Sequence, residues 1–399
     1  ADKRFYVPDD VREHFLSKVE EGRVLDESWQ KKLAAYREAY PELAAEFERR
    51  LRGDLPQDWV SALPEFPTDQ KGMATRAASG KVLNALAAKL PELMGGSADL
   101  EPSNKTWING EKAFQSESPE GRNMHFGVRE HAMGAAVNGM AVHGGVIPYG
   151  ATFLVFLDYM RGAVRLSALS EYPSIWIFTH DSIGVGEDGP THQPVEHLAS
   201  LRVIPNLITI RPADANETAQ AWRVAVEEKG HPVALVLTRQ KVPTIDRETY
   251  ADAEELAKGA YVLADMGDGD PDLILMASGS EVNLILRAGA NLAAEGINLR
   301  IVSFPSWELF NWQDQAYRDQ VLPPGIKNRL AVEAGVVQGW ERWVGDHGRV
   351  IGIKGFGASA PGDRVMDEYG FTVAHVIEEA LALLKADALS QEDRNNGNK

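Results

Sequence analysis

The chain has 399 residues, 44% of them hydrophobic and 25% charged, which is typical of a globular protein with two or three domains. Its formal net charge of −17 argues against nucleic acid or an anionic membrane surface as a partner. It has no cysteine, which excludes disulfides, thiolate nucleophiles and Cys-ligated metals. We find no apolar run suited to a membrane span and no signal segment, and we expect a cytoplasmic location.

The first 68 residues predict a helical linker arm. Apolar residues recur at helical spacing over residues 11–19 and 29–51, and Pro8, Pro41 and Pro56 divide this segment into short amphipathic helices. We expect the arm to pack on another domain, because such short helices rarely fold alone.

Residues 69–245 alternate between apolar strands and helices, which predicts a three-layer α/β/α domain with a mostly parallel sheet. The predicted strands are residues 93–94, 124–126, 174–179, 207–210 and 233–237. The predicted helices are residues 72–90, 130–143, 153–169 and 213–228.

Residues 260–388 repeat the alternation and predict a second, smaller α/β/α domain with a mixed sheet. The predicted elements are strands at 273–277, 299–302, 330–332 and 350–353, with a helix at 281–295. Residues 389–399 form a polar tail that is predicted to be disordered from Ser390 onward.

The segment richest in chemical groups is residues 179–194, THDSIGVGEDGPTHQP, which follows a predicted strand. Open α/β sheets bind ligands at such strand ends, and His180, Asp188 and His192 offer donors, acceptors and proton carriers. A polar surface loop would have the same composition. A metal site formed by these three residues is a further interpretation, weakened because Gly189 and Pro190 break the helix that it would need.

Two other patterns allow a structural or a functional interpretation. Glu130 begins a predicted helix, where an acid is favoured by about 0.3–1 kcal/mol through the helix dipole alone. Phe153, Phe156 and Tyr159 recur at spacings of three and would cover a single helical face. Such a stripe usually packs in a core, although flat rings also suit a heteroaromatic cofactor.

Arginines could supply an anion site. Arg76, Arg211 and Arg239 flank predicted element ends, and Ser103 lies in a loop-like segment. A pair of guanidinium groups in one cleft would bind a sugar phosphate, whereas scattered arginines more often form weak surface ion pairs. Spacing alone leaves both possibilities open.

Gly267, Asp268 and Gly269, followed by Asn298, resemble the thiamine diphosphate motif in spacing. That motif needs its aspartate at the end of a strand, whereas this segment lies between two predicted elements. We therefore interpret it as a turn.

Several segments together resemble the transketolase family in order and spacing. They are residues 74–76, 95–100, 126–134, 148–153, 179–194 and 237–240, and the resemblance covers nearly the whole chain. It implies that residues 69–245 form the pyrimidine-binding domain and residues 260–388 the C-terminal domain of a transferase that moves a two-carbon ketol unit between sugar phosphates.

The resemblance also implies site residues. For the cofactor, thiamine diphosphate, Glu130 would bond a pyrimidine ring nitrogen, Asp99 would lie near the thiazolium ring, and Phe153, Phe156 and Tyr159 would surround the pyrimidine. The residues implied for the substrate are Arg76, Ser103, His180 and Arg239 for the phosphate, Asp188 for a hydroxyl and His192 beside the reacting carbons. Glu130, His180 and His192 would be catalytic, and this chain would supply no metal ligand.

One part of the family pattern is not found. The resemblance implies an N-terminal module that binds the diphosphate through Mg²⁺ or Ca²⁺, and we expect it to be absent here because of truncation or a two-chain organisation. This chain would then bind only the pyrimidine end, form a homodimer and be inactive or weakly active alone. The alternatives are a deoxyxylulose-phosphate synthase, a 2-oxoacid dehydrogenase beta subunit and a non-catalytic dimeric remnant.

Overall fold

The structure, a computed structural model, describes residues 4–397, with side chains described for residues 4–388. The chain forms two compact units, one ending at Leu55 and one beginning at Pro56. Within the described residues, no helix is both long enough and apolar enough to cross a membrane.

The first unit is a pair of helices, α1 (Asp9–Ala39) and α2 (Pro41–Arg52). Pro41 starts α2 and lacks the N–H that would continue α1, while Gly53 ends α2 with a left-handed φ of 71°. The predicted series of short helices was therefore wrong, because α1 runs unbroken for 31 residues. No proline lies inside α1 to interrupt it.

The second unit begins with a parallel sheet. Its segment up to Thr244 contains the strands β1 (Asp69–Ala74), β2 (Leu93–Ser97), β3 (Asn123–His125), β4 (Ile147–Phe153), β5 (Ile175–Thr179), β6 (Ile208–Ile210), β7 (Val233–Leu237) and β8 (Lys241–Thr244). Six of them form one parallel sheet in the order β3-β2-β4-β5-β7-β6, while β1 and β8 pair antiparallel as a separate ribbon. The helices here are α3 (Thr75–Ala87), α4 (Glu101–Asn104), α5 (Glu130–His143), α6 (Leu157–Leu169), α7 (His197–Arg202) and α8 (Ala215–Glu227). The mostly parallel sheet is confirmed.

The helices predicted from residues 72 and 153 begin later in the structure, because strands precede both of them. Strand β4 was not foreseen, because Pro148 and Gly150 lower its strand propensity, yet both are buried between β2 and β5. Phe153 is the last residue of β4, and a 3-10 turn at Leu154–Phe156 precedes α6. The helix predicted from Gly72 begins at Thr75, since the preceding residues pair with β8.

The second sheet is mixed, as predicted. Its strands are β9 (Tyr261–Met266), β10 (Leu273–Ala277), β11 (Leu299–Ser303), β12 (Arg329–Val332) and β13 (Arg349–Ile351), in the order β13-β12-β10-β11-β9 with β9 antiparallel. The helices are α9 (Glu281–Ala294), α10 (Trp307–Trp312), α11 (Gln315–Val321), α12 (Glu341–Val344), α13 (Gly362–Glu368) and α14 (Val373–Gly397). The disorder predicted from Ser390 was wrong as far as Gly397, since α14 continues to that residue.

The segment that resembles a diphosphate motif is a turn between β9 and β10. The side-chain oxygen of Asn298 accepts hydrogen bonds from the backbone N–H of Asp268 at 3.0 Å and of Gly269 at 3.3 Å. The spacing between this turn and the asparagine therefore has a local structural cause.

A buried arginine joins the two sheets. Arg211 follows β6, and its side chain is 1% exposed. It donates to Asp181 Oδ2 at 2.9 Å and to the Ser278 carbonyl at 2.9 Å, and it forms an ion pair with Glu281 at the start of α9. Burial alone would lower the pKa of Arg211, but Glu281 and Asp181 raise it above its usual value. Arg211 is thus a buried structural cation.

A second buried ion pair lies beside it. Arg202 donates two hydrogen bonds of 2.7 Å to the carboxylate of Glu333, which also accepts from Ser278 at 2.6 Å and from Trp340 at 3.0 Å. Burial opposes the ionisation of Glu333, yet Arg202 lowers its pKa to about 2. Ser278 contacts both Arg211 and Glu333, so the two ion pairs form one network.

Replacing Arg211 with methionine should lower the free energy of unfolding by about 3–5 kcal/mol, because Asp181 and Glu281 would lose their buried counter-charge. Guanidinium unfolding followed by circular dichroism measures this loss. The matched control is Arg223→Met, whose partly exposed pair with Glu254 at 3.3 Å should contribute less than about 1 kcal/mol. Equal losses in the two variants would contradict the structural role of Arg211.

Candidate active site

The residues singled out from the sequence gather at one edge of the parallel sheet. Asp99 follows β2, Glu130 follows β3, Phe153 ends β4, His180 follows β5 and Arg239 follows β7. The carboxyl ends of parallel strands meet at a single edge, where open α/β folds bind their ligands. The topology alone therefore brings residues from five strands to the same side of the molecule.

Arg76 reaches this edge from the first turn of α3. The backbone N–H of Thr75 donates to Thr238 Oγ1 at 2.9 Å, which fixes the start of α3 beside the end of β7. The Arg76 guanidinium then donates to the backbone carbonyl of Ser103 at 2.8 Å. Ser103 thus contacts Arg76 through its main chain, and α4 helps to hold the arginine in place.

His180 lies at the centre of the site and is 2% exposed. Its Nε2 is 3.4 Å from Arg76 Nη1, and its Nδ1 is 2.8 Å from Thr179 Oγ1. A guanidinium can only donate, so Nε2 is the acceptor and Nδ1 carries the hydrogen. Burial, followed by the charges of Arg76, Arg239 and His192, lowers the pKa of His180 to about 3. The imidazole is therefore neutral at physiological pH.

The two arginines lie close enough to repel each other. Burial lowers the pKa of Arg76, Arg239 adds to this effect, and Asp188 opposes it. Arg239 and Asp188 are exposed, whereas Arg76 is half-buried. The site therefore concentrates positive charge beside a neutral imidazole, in a chain whose net charge is −17.

Aromatic rings form a wall next to His180. The rings of Phe153 and Phe156 are stacked, with centroids 5.7 Å apart and planes at 10°, and Tyr159 continues the row at 6.0 Å from Phe156. The ring centroid of His180 lies 3.6 Å from that of Phe153, and the ring centroid of His192 lies 5.7 Å from that of Phe156. The spacing predicted that the three aromatic residues share one helix, but they lie in β4, the following turn and α6. Their rings remain contiguous because the turn after β4 leads directly into α6.

Glu130 and Asp99 occupy other parts of the edge. Glu130 is 8% exposed, and its carboxylate accepts no hydrogen bond from any residue that the structure describes. Asp99 has a left-handed φ of 62° and lines a cleft of about 240 Å³ with Trp107 and His125. No hydrogen bond or ion pair within the described residues links either carboxylate to His180.

Residues that the sequence analysis did not single out position the 179–194 loop. Gln193 donates from Nε2 to the carbonyls of Gly186 and Ala358, both at 2.9 Å, and so ties the loop to the C-terminal domain. Asn104 donates to Thr179 Oγ1 at 2.7 Å. Both amides lie inside segments already noted, but sequence shows no periodicity that would separate a buried amide from a solvated one.

Family models match three parts of the chain. "Transketolase, pyrimidine binding domain" matches residues 71–244, and "Transketolase-like TK C-terminal domain" matches residues 259–372. "Transketolase, thiamine diphosphate binding domain" matches residues 1–56. The expected absence of that domain was therefore wrong for the opening arm, which the sequence analysis had interpreted as a linker.

Curated relatives agree with these matches. Transketolase from Geobacillus stearothermophilus is 54% identical over 381 residues, which are 95% of this chain and 57% of that protein. A chloroplastic transketolase from Craterostigma plantagineum is 49% identical over 382 residues, and the match covers 95% of this chain and 73% of that protein. The chain thus spans little more than half the length of the first of these relatives.

Solved structures share the fold. Transketolase from Pichia stipitis, in complex with sedoheptulose-7-phosphate, superposes with a TM-score of 0.91 at 41% identity, covering 96% of this chain and 56% of that one. A split-gene transketolase, described as an inactive β4 tetramer, superposes with a TM-score of 0.62 at 25% identity, covering 79% of this chain and 99% of that one. The chain belongs to the transketolase family.

Proposed function

We propose that this chain is part of an enzyme that uses thiamine diphosphate to transfer a two-carbon ketol unit from a ketose phosphate to an aldose phosphate. The observation that carries the proposal is the convergence of Arg76, Arg239, neutral His180 and the stacked Phe153 and Phe156 rings. Two cations and a flat aromatic wall in one place suit a phosphorylated substrate and a heteroaromatic cofactor together. A synthase or dehydrogenase of related type is less well matched, because the matching family models and the curated relatives named above are described as transketolases.

The residues present fit the pyrimidine end of the cofactor. The Phe153, Phe156 and Tyr159 rings would stack against the pyrimidine, and Glu130 would hold one of its ring nitrogens. Among the described residues, no group donates a hydrogen bond to the mostly buried Glu130 carboxylate, so a ligand that supplies a donor would stabilise it. When bound, the cofactor supplies the carbanion chemistry, and Asp99 would lie near its thiazolium ring.

We assign the remaining residues to the sugar phosphate. Arg76 and Arg239 would bind the phosphate, with Ser103 holding Arg76 through its carbonyl. Asp188 would accept a hydrogen bond from a substrate hydroxyl, and His192, beside Phe156, would lie near the reacting carbons. A neutral His180 can accept a hydrogen bond at Nε2 without adding a third positive charge.

The partners complete the proposal. Mg²⁺ or Ca²⁺ would bind with the diphosphate in the rest of the thiamine diphosphate-binding domain, of which residues 1–56 match one part. We infer a homodimer through α5, whose exposed face carries small residues that include Ala132, Ala135 and Ala136. The cytoplasmic location stays a prediction. The inactive split-gene relative favours an isolated chain with little activity, so a non-catalytic dimer remains the second candidate.

The first test measures ketol transfer from a ketose phosphate by this chain, with thiamine diphosphate and Mg²⁺. We expect little turnover alone and restored turnover after addition of a diphosphate-binding domain from a close relative. Glu130→Gln should then lower the rate at least about 100-fold, because an amide cannot share a proton with the pyrimidine ring nitrogen that Glu130 would bond. Glu368→Gln, at an exposed acid in α13, should leave the rate unchanged. Full activity of the chain alone would refute the need for a further domain.

The second test concerns the phosphate. In the restored enzyme, Arg239→Ala should raise KM for phosphorylated sugars by about tenfold or more, because one charge-assisted contact is lost. It should leave kcat/KM for a nonphosphorylated ketose nearly unchanged. Arg300→Ala, at an arginine paired with Asp265 in the second sheet, serves as the matched control. An equal loss on both kinds of substrate would argue against phosphate binding by Arg239.

The third test concerns protonation. The pKa of His180 is lowered from 6.5 to about 3 by burial and then by Arg76, Arg239 and His192, so its ring signals in NMR should stay in the neutral position from pH 8 down to about pH 4. The unfolded chain binds a proton at His180 below pH 6.5, so stability from this group is present above that pH and falls as pH drops toward 3. A midpoint near pH 6.5 in the folded protein would overturn the assignment.

A further inference from the structure

We propose that Asp158, Glu196 and His197 form a binding site for a divalent transition-metal ion, with zinc as the ion that best fits the ligands. Asp158 lies in the first turn of α6, Glu196 directly precedes α7, and His197 begins α7. One nitrogen and two carboxylate oxygens from these residues all lie within 4.8 Å of one another. None of the three belongs to the proposed ketol-transfer site.

The state of His197 is the main evidence for a missing ligand. Its side chain is only 5% exposed, and neither ring nitrogen makes a hydrogen bond within the described residues. Nε2 lies 3.3 Å from Asp158 Oδ1, and Nδ1 lies 3.7 Å from Glu196 Oε2, but the geometry of these contacts is not that of hydrogen bonds. A buried polar ring without a hydrogen-bond partner is unfavourable. A metal ion bound to one ring nitrogen would give that nitrogen a partner.

The distance between His197 and Asp158 also suits a shared ion. Bonds of about 2.0–2.2 Å from zinc to nitrogen and oxygen, at tetrahedral angles, hold two ligand atoms about 3.3 Å apart. The observed separation of Nε2 and Oδ1 is 3.3 Å. The pair is therefore already spaced as two ligands of one ion, and the exposed Glu196 side chain, now 3.7 Å from Nδ1, would turn toward that ion.

Among the residues that the structure describes, no lysine or arginine pairs with these carboxylates. Arg161 follows Asp158 by three residues and could reach it on the same helix, yet it donates to the carbonyl of Ser200 at 2.9 Å. In the part of the chain that the structure describes, the ion-pair contacts of Asp158 and Glu196 are those with His197. The cluster thus carries two negative charges without a permanent counter-charge.

The ligand types select the ion. One imidazole and two carboxylates suit zinc and its neighbours, whereas Mg²⁺ prefers oxygen ligands alone. Asp158 and Glu196 are 63% and 53% exposed, so an ion could enter from solvent and keep water in its remaining positions. Bound there, the ion would tie the start of α6, which carries Tyr159, to the residues that follow the 179–194 loop.

The test is isothermal titration of the metal-free chain with Zn²⁺, repeated with Co²⁺ to follow its visible absorption. We expect one binding event to be lost or weakened at least about tenfold in His197→Gln and in Asp158→Asn. Zn²⁺ should raise the melting temperature of the wild-type chain more than that of either variant. The matched control is His347→Gln, at an exposed histidine before β13, which should bind as the wild type does.

Asp158→Asn changes an exposed residue, so it keeps the test valid even if His197→Gln unfolds. Unchanged Zn²⁺ affinity and stoichiometry in Asp158→Asn would overturn the proposal. So would a wild-type chain that binds no Zn²⁺ at millimolar concentration. Because the readout is metal binding, either result leaves the proposed ketol transfer untouched.

Discussion

The position of the 179–194 loop depends on the buried guanidinium of Arg211. It binds Asp181, which is next to His180, and it also binds Glu281 at the start of α9, the helix that follows β10 of the second sheet. Removing one member of such a buried set leaves the other buried charges without a counter-charge, which is strongly destabilising. The C-terminal domain supplies none of the proposed site residues. It nevertheless holds the start of the loop that carries His180, Asp188 and His192.

Burial also determines the charge states in the proposed site. Burial and Arg239 both lower the pKa of Arg76, while burial and the nearby arginines keep His180 neutral. A bound dianion would relieve the repulsion between the half-buried Arg76 and the exposed Arg239, which supports the proposed phosphate site. The buried ring of Phe153 covers one side of His180.

The sequence predicted the elements whose patterns are strong, namely the apolar strands β5, β7 and β10 and the helix α5. It failed where tertiary burial overrides local propensity, as in β4, where Pro148 and Gly150 lie in a buried strand. The site residues came from a family resemblance, and spacing alone left Arg76, Glu130 and Phe153 ambiguous. The sequence analysis named Arg211 only as a possible anion ligand, because its partners Asp181 and Glu281 are 30 and 70 residues away along the chain and no pattern links them.

The backbone of His180 has a left-handed φ of 61°, a conformation that residues with a Cβ rarely adopt. Saturation mutagenesis at this position would therefore report two properties at once. Glycine and asparagine tolerate the conformation and would remove the imidazole alone, whereas valine or isoleucine would also push the chain out of its turn. Libraries aimed at new substrates would sample side-chain chemistry at residue 180 most cleanly through those two tolerant residues.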